Sequence, residues 1–279
     1  MNPNSIKALD NMKNILTVIN TAPRKIDYLP KTLRSIFRAG FQNVTVFSEP
    51  GCNVPVNVDW KPNPKLLGAW HSFKQAISET VWWSQESQHE YVAYFQDDVT
   101  IHPEALDLLS KVLPNLGKFG YLSLYTPTHY NEKAGREIKN PGMSVMHIPA
   151  AYGACALVFR LDVLKQFAET NVWNNWLGVP ALHNTEEEFE KRRQDSTRIK
   201  HVDAGITKII KELELPAIYF HPSLVQHIGE VSSLGHAPSP IQFEKRSRRI
   251  AQHIVDFDKP LFNQVFKSDE QFRSISELV

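Results

Sequence analysis

Two adjacent aspartates, Asp97 and Asp98, follow the apolar run Tyr91-Val-Ala-Tyr-Phe95, with only Gln96 between. Neighbouring carboxylates repel each other, so a site that holds both gains by taking a divalent cation. Mg2+ and Mn2+ prefer oxygen donors and commonly bridge protein carboxylates to substrate phosphates. Such an ion can neutralise the charge that develops on a departing nucleotide diphosphate. The bland alternative is that Asp97 or Asp98 caps a helix starting near Pro103, since Asp is common in such turns.

A second concentration of chemistry-bearing residues lies far down the chain, in His221-Pro-Ser-Leu-Val-Gln-His227-Ile-Gly229-Glu-Val-Ser232-Ser233-Leu-Gly235. A neutral imidazole such as that of His227 suits Mn2+ better than Mg2+. Gly229 lets a backbone come close to a diphosphate, and the hydroxyls of Ser232 and Ser233 can donate to phosphate oxygens. His102, His129, His147 and His253 read as structural histidines, and nothing lifts His221 or His236 above that reading.

The elements that must position these groups follow from pattern. Ile15-Leu-Thr-Val-Ile-Asn20 reads as a buried strand. Pro30 opens a helix with Leu33, Ile36 and Phe37 on its apolar face, and Gly40 closes it. Val44-Thr-Val-Phe47 is a second strand, which makes a β-α-β unit with a parallel pair. Helices are expected from Lys65 to Ile77, Pro103 to Leu113, Val163 to Ala168 and Ala204 to Leu213. Strands are expected at Tyr91 to Phe95, Tyr121 to Tyr125, Ala154 to Phe159 and Ala217 to Phe220. Thr126 to Met146 and Asn171 to Arg198 read as irregular, either substrate loops or plain surface insertions. The first βα turn has no GxGxxG, which disfavours dinucleotide binding, and no Gly-rich, Lys-bearing loop, which disfavours a nucleotidyltransferase.

The strand with its Gln96-Asp97-Asp98 triplet resembles the acidic metal-binding region of GT-A glycosyltransferases. The Pro222-Ser-Leu-Val-Gln-His-Ile-Gly229 segment is similar to one in GT-A enzymes related to the N-acetylglucosaminyltransferase IV group and its microbial and viral relatives. The likeness runs from about Ile15 to Gly235. It implies an α/β GT-A (Rossmann-like) fold with a mixed, mainly parallel sheet sandwiched by helices. It implies that Asp98 and His227 hold the metal, Mn2+ or Mg2+, while Asp97 orients the donor ribose or sugar. Gln96 departs from the family, which carries an acid there. Thr21 and Arg24 match the opening of the nucleotide site, with Arg24 pairing either with the diphosphate or in a loop salt bridge. Glu49 matches an acid that contacts base or ribose, or else is a turn residue. Gly68 and His71 match a helix near the donor, while Trp70 and Phe73 read as core. Asp203 matches the general base of an inverting transfer, and an ordinary N-cap explains it equally.

The implied reaction moves a sugar from a nucleotide-sugar donor, a UDP-sugar, to an acceptor hydroxyl. The acceptor is a glycan, on which Trp173 and Trp176 could stack unless at least one of them is buried packing, or a hydroxymethylated DNA base, as in phage genome modification. For DNA, Lys191-Arg-Arg193 and Lys245-Arg246-Ser-Arg248-Arg249 would meet phosphates, against their reading as solvated helix faces. A non-catalytic nucleotide-sugar- or glycan-binding module with this fold is the alternative. The totals fit a large α/β domain: 279 residues, 42% of them hydrophobic, with a formal net charge of +1. The expected division is an N-terminal extension (1–14), a catalytic domain (15–240) and a C-terminal helical extension packing on it (241–279). Two distant cysteines argue against a zinc or disulfide framework. No signal peptide or membrane span is read, so a soluble cytoplasmic protein without membrane contact, or a catalytic domain cut from a longer one, is expected.

Overall fold

The structure is a computed structural model and describes residues 14–24, 26–86, 88–126, 142–146, 153–175, 202–229 and 257–265. Strand β1 (Ile15–Thr21) leads into helix α1 (Leu29–Arg38), then β2 (Val44–Ser48) and β3 (Asp59–Pro62). Helix α2 (Ala69–Trp83) returns the chain to β4 (Tyr91–Gln96), which is followed by β5 (Val99–Ile101) and α3 (Ala105–Val112). Then come β6 (Tyr121–Ser123), β7 (Gly142–Met146), β8 (Ala156–Arg160), α4 (Leu161–Phe167) and α5 (Asn171–Asn175). The described chain ends with α6 (Val202–Glu212), β9 (Ala217–His221), β10 (Val225–His227) and α7 (Phe262–Val265).

Eight strands form one sheet in the order β3-β2-β1-β4-β8-β6-β9-β7. The β3, β2, β1 and β4 neighbours are parallel, as are β6 and β9, while β8 and β7 run against their partners. This is a mixed, mainly parallel α/β sheet with helices on both faces, as the sequence implied. Both faces are covered, so β4 alternates between two cores. Tyr91, Ala93 and Phe95 join Leu33 and Ile36 of α1 and Leu106 and Leu109 of α3. Val92 and Tyr94 join Trp70 and Phe73 of α2, Phe167 of α4 and Ile206 of α6. Burial on both sides is why the strand reads as a continuous apolar run.

The chain turns around β1: it winds outward to β2 and β3, then crosses back to lay β4 on the other side of β1. That reversal is a topological switch point, and the ligands of open α/β sheets bind in the crevice outside the carboxyl ends of the strands at such a point, here β1 and β4.

Several boundaries move from their expected places for local reasons. Helix α2 starts at Ala69, not Lys65, because Gly68 sits at φ 79, outside the right-handed helical region. It also runs on to Trp83. Helix α3 starts after Pro103, with Glu104 at its cap position and no side-chain cap. Asp97 and Asp98 therefore cap no helix here. Gly142–Met146, expected as irregular, is a strand that pairs with β9, and Asn171–Asn175 is a short helix. Strands β3, β5 and β10, of three or four residues, had no readable period. Pro30 near the helix start and Gly40 at φ 88 behave as expected.

Part of the C-terminal stretch packs on the domain. Glu104 Oε2 accepts from Leu261 N at 2.6 Å, and Leu261 and Val265 are buried in the first core. His102 lies edge-on to Phe257, 5.4 Å away. No helix among the described residues is long and apolar enough to cross a membrane.

Gly205 of α6 packs against Trp70 so closely that an added Cβ would stand 2.5 Å from the indole ring. Gly205→Val is therefore expected to destabilise the fold by about 1–3 kcal/mol through overpacking, read as a lower denaturant midpoint in equilibrium unfolding.

Candidate functional site

Asp97 and Asp98 sit at the mouth of that crevice, 1% and 4% exposed. Neighbouring elements hold them there. Thr21, the last residue of β1, donates from Oγ1 to Asp97 Oδ2 at 2.6 Å. Arg24, three residues on, spans both acids: Nη2 donates to Asp97 Oδ1 at 2.5 Å and Nη1 to Asp98 Oδ2 at 2.6 Å. Its guanidinium also lies 6.0 Å from the Tyr28 ring centroid.

The backbone of the acidic turn is pinned from α1. Thr32 Oγ1 lies 2.7 and 2.8 Å from the carbonyl oxygens of Asp97 and Val99, which share its one proton, and accepts from Val99 N at 3.2 Å. The expected apolar face of α1 omitted Thr32, although a lone hydroxyl between Pro30 and Leu33 marks the place.

His227 reaches the pair through a two-stranded ribbon. Strands β5 and β10 are antiparallel, with His227 opposite Val99, and Ile228 N donates to Asp98 O at 2.8 Å. This register sets His227 Nε2 3.1 Å from Asp98 Oδ2. Buried Ser223 fixes the turn before β10: it accepts from Thr126 N, and its hydroxyl lies 2.7 Å from Val225 O. Gly229 is needed for the close approach, because a Cβ there would collide with the Asp98 carboxylate and the His227 ring. The crowding at Gly229 comes from the acid and the imidazole themselves. Ser232 and Ser233 lie outside the described residues, as do Trp176 and both basic clusters.

Electrostatics divide the two acids. Burial raises Asp98, but the His227 hydrogen bond and charge, with Arg24, outweigh it and hold the carboxyl below its ordinary range. Burial dominates at Asp97 and, with the neighbouring Asp98 charge, pushes it up against the pull of Arg24 and Thr21. Among the described residues, buried Asp98 Oδ1 has no hydrogen-bond partner, and the same holds for Arg24 Nε.

The remaining candidates are brought to the same end of the sheet, each tied to backbone. Glu49 follows β2, and its two carboxylate oxygens accept from Leu67 N at 2.9 Å and Gly68 N at 3.0 Å. Thus Glu49 and Gly68 are partners, and the acid fixes the start of α2. Asp203 lies in the first turn of α6 and accepts from Gly153 N at 2.9 Å and Ala154 N at 3.1 Å. Those amides precede β8, whose Ala156 pairs with Phe95 beside the acidic turn. Cys155 lies between the two acids in the chain of contacts: its carbonyl accepts from Gln96 N at 2.9 Å and its neighbour Ala154 gives its amide to Asp203, while burial chiefly raises its thiol. Tyr125 is another neighbour that sequence reasoning missed: its ring is 6.4 Å from that of His227, and a Cβ on Gly153 would meet it at 2.9 Å. Trp70 and Phe73 are core, as expected, and Trp173 packs edge-on against both in the same core, which corrects its reading as a surface for stacking on sugar rings. His71 is not joined to the acidic turn by any hydrogen bond or ion pair shown among the described residues; burial lowers it, helped by Lys74.

No family model matches the chain, and no curated protein matches it. Among solved structures, a cytidylyltransferase from Leptospira borgpetersenii serovar Hardjo-bovis is similar at 13% identity with a TM-score of 0.33. That likeness covers 72% of this chain and 94% of the other. The superposition is too loose to bear on chemistry, which has to be argued from the crevice itself.

Thr32→Val keeps the shape of the side chain but strips the acidic turn of its hydroxyl. A loss of about 1–3 kcal/mol in unfolding free energy is expected for the groups left unpaired. Thr32→Ser should recover most of it; equal losses in the two variants would mean that packing, not the hydroxyl, holds the turn.

Proposed function

We propose that this chain is a divalent-metal-assisted glycosyltransferase that moves a sugar from a UDP-sugar to an acceptor hydroxyl with inversion. The observation that carries this reading is the pairing of Asp98 with His227 in the crevice between β1 and β4. Their donor atoms stand 3.1 Å apart, and two ligands of one octahedral ion with bonds of ~2.1 Å stand about 3 Å apart. The unpartnered, buried Asp98 Oδ1 is a second oxygen with capacity to spare. No cluster of three or more potential ligands occurs among the described residues, so substrate phosphates and water would complete the shell. The residues present therefore fit an ion shared with the donor. Bound there, Mn2+ or Mg2+ supplies positive charge where the diphosphate leaves.

The roles of the protein groups follow from their places. Asp98 and His227 hold the ion. Asp97, held by Thr21, orients the donor. Asp203 is the proposed base. Each of its oxygens accepts one amide bond, which leaves lone pairs free to take the acceptor proton. The acceptor is a glycan or a hydroxymethylated DNA base.

One observation favours the non-catalytic alternative, a nucleotide-sugar- or glycan-binding module: Asp203 is engaged on both oxygens, as a purely structural acid would be. Incubation with a panel of UDP-sugars and Mn2+, with oligosaccharide or hydroxymethylated DNA as acceptor and mass as readout, separates the two. The transferase reading expects a product that gains one sugar mass, and loss of activity in chelator. In Asp98→Asn turnover should fall at least about a hundredfold. In Asp203→Asn it should fall by about 10²–10⁴ while UDP binding persists. Donor binding without transfer to any acceptor would favour the module instead.

A further inference from the structure

We propose that the Arg24 guanidinium and a divalent cation are alternative occupants of the Asp97–Asp98 pair, so that entry of the metal releases Arg24 from Asp98. The inference rests on the metal reading above and adds a built-in competitor to it.

Three observations carry it. The first is the shared atom: Asp98 Oδ2 receives both Arg24 Nη1 at 2.6 Å and His227 Nε2 at 3.1 Å. A cation ligated by His227 and Asp98 would replace the proton between Nε2 and Asp98 Oδ2, which passes to solvent, and would need the oxygen on which Arg24 now sits. Two cations cannot share one buried oxygen without strong repulsion in so dry a place. The second is the incomplete bonding of the bridge. A buried arginine with a purely structural duty has its donors satisfied, yet Arg24 Nε is buried and unpartnered, as is Asp98 Oδ1. The third is the position of Arg24 in the chain. It stands in the loop after β1, outside any helix or strand, so the side chain can leave the acids without breaking regular structure.

In the metal-free protein Arg24 then serves as the counter-charge that lets two neighbouring carboxylates stay buried. With metal bound, Arg24 becomes a free guanidinium beside the ion, suited to a doubly charged phosphate. It is a positioning residue on this view: it acts through the acids before it meets any ligand.

The test is Mn2+ binding to the full-length protein without nucleotide, measured by the electron paramagnetic resonance of free Mn2+. Wild type, Arg24→Met, Arg24→Lys and Asp98→Asn are compared. Loss of the competing cation should tighten Mn2+ binding about tenfold or more in Arg24→Met. Arg24→Lys should fall between, and Asp98→Asn should abolish binding. A residue that merely supported the fold would weaken binding when removed. Should Arg24→Met not fold, Arg24→Lys and a wild-type measurement carry the question. In that measurement, phenylglyoxal labelling of Arg24, read by peptide mass, should rise severalfold when Mn2+ is added. Asp98-dependent binding with unchanged or weaker affinity in the Arg24 variants, or labelling indifferent to Mn2+, overturns the exchange alone. If neither wild type nor the Arg24 variants bind Mn2+ through Asp98, the metal reading falls, and the exchange with it.

Discussion

Burying two carboxylates side by side is the constraint around which the carboxyl end of the sheet is arranged. An isolated buried charge is costly, and a second like charge next to it compounds the cost. Asp97 and Asp98 are both almost fully buried, and compensation comes from four separate places: the end of β1, the loop after it, helix α1 and strand β10. Each contributor is fixed by the fold. Thr21 is aligned by the parallel pairing of β1 with β4, Thr32 by the docking of α1, and His227 by the register of the β5–β10 ribbon. Remove the doubly wound crossing at β1 and the compensating groups would not meet.

Much of this was legible in the sequence, and the reasons differ from residue to residue. The strand before Gln96 was plain because both of its faces are buried, so nearly every position is apolar. Asp98 and Asp97 were legible from their place at its end. His227 was legible only through resemblance: nothing in periodicity reveals a three-residue strand that pairs across the chain with another of three residues. The true start of α2 was hidden for a tertiary reason. Leu67 and Gly68 give their amides to Glu49, eighteen and nineteen residues earlier, and so leave the helix. Thr32 was passed over because a hydroxyl on a helix usually faces water or its own backbone, whereas this one faces the acidic turn.

The other acids at this end share one habit. Glu49 ties the loop after β2 to the start of α2, and Asp203 ties α6 to the entry of β8. In each case a carboxylate accepts two successive backbone amides, which are donors that a loop at a sheet end must otherwise satisfy with water. Functional and structural readings of these residues are thus not rivals in position. An acid that must be held still for chemistry and an acid that holds a loop still have the same surroundings, and only reactivity distinguishes them.

Among the described residues this end of the sheet carries more acid than base, with Asp97, Asp98, Glu49 and Asp203 against Arg24. The half-buried thiol of Cys52 feels it: burial chiefly, helped by the charges of Asp97, Glu49 and Asp27 and opposed by a Thr21 hydrogen bond, pushes the thiol up to about 11. Among the described residues, Arg24 is the cation seen to bridge the acid pair, and the pair occupies its fork. A diphosphate brought alone to such a mouth would meet carboxylates with little to offset them. A diphosphate that arrives with a divalent ion presents the opposite sign to Asp98, and any guanidinium then displaced has an anion to meet. For the phosphate-bearing donor proposed here, these acids set the condition that it carry its cation with it.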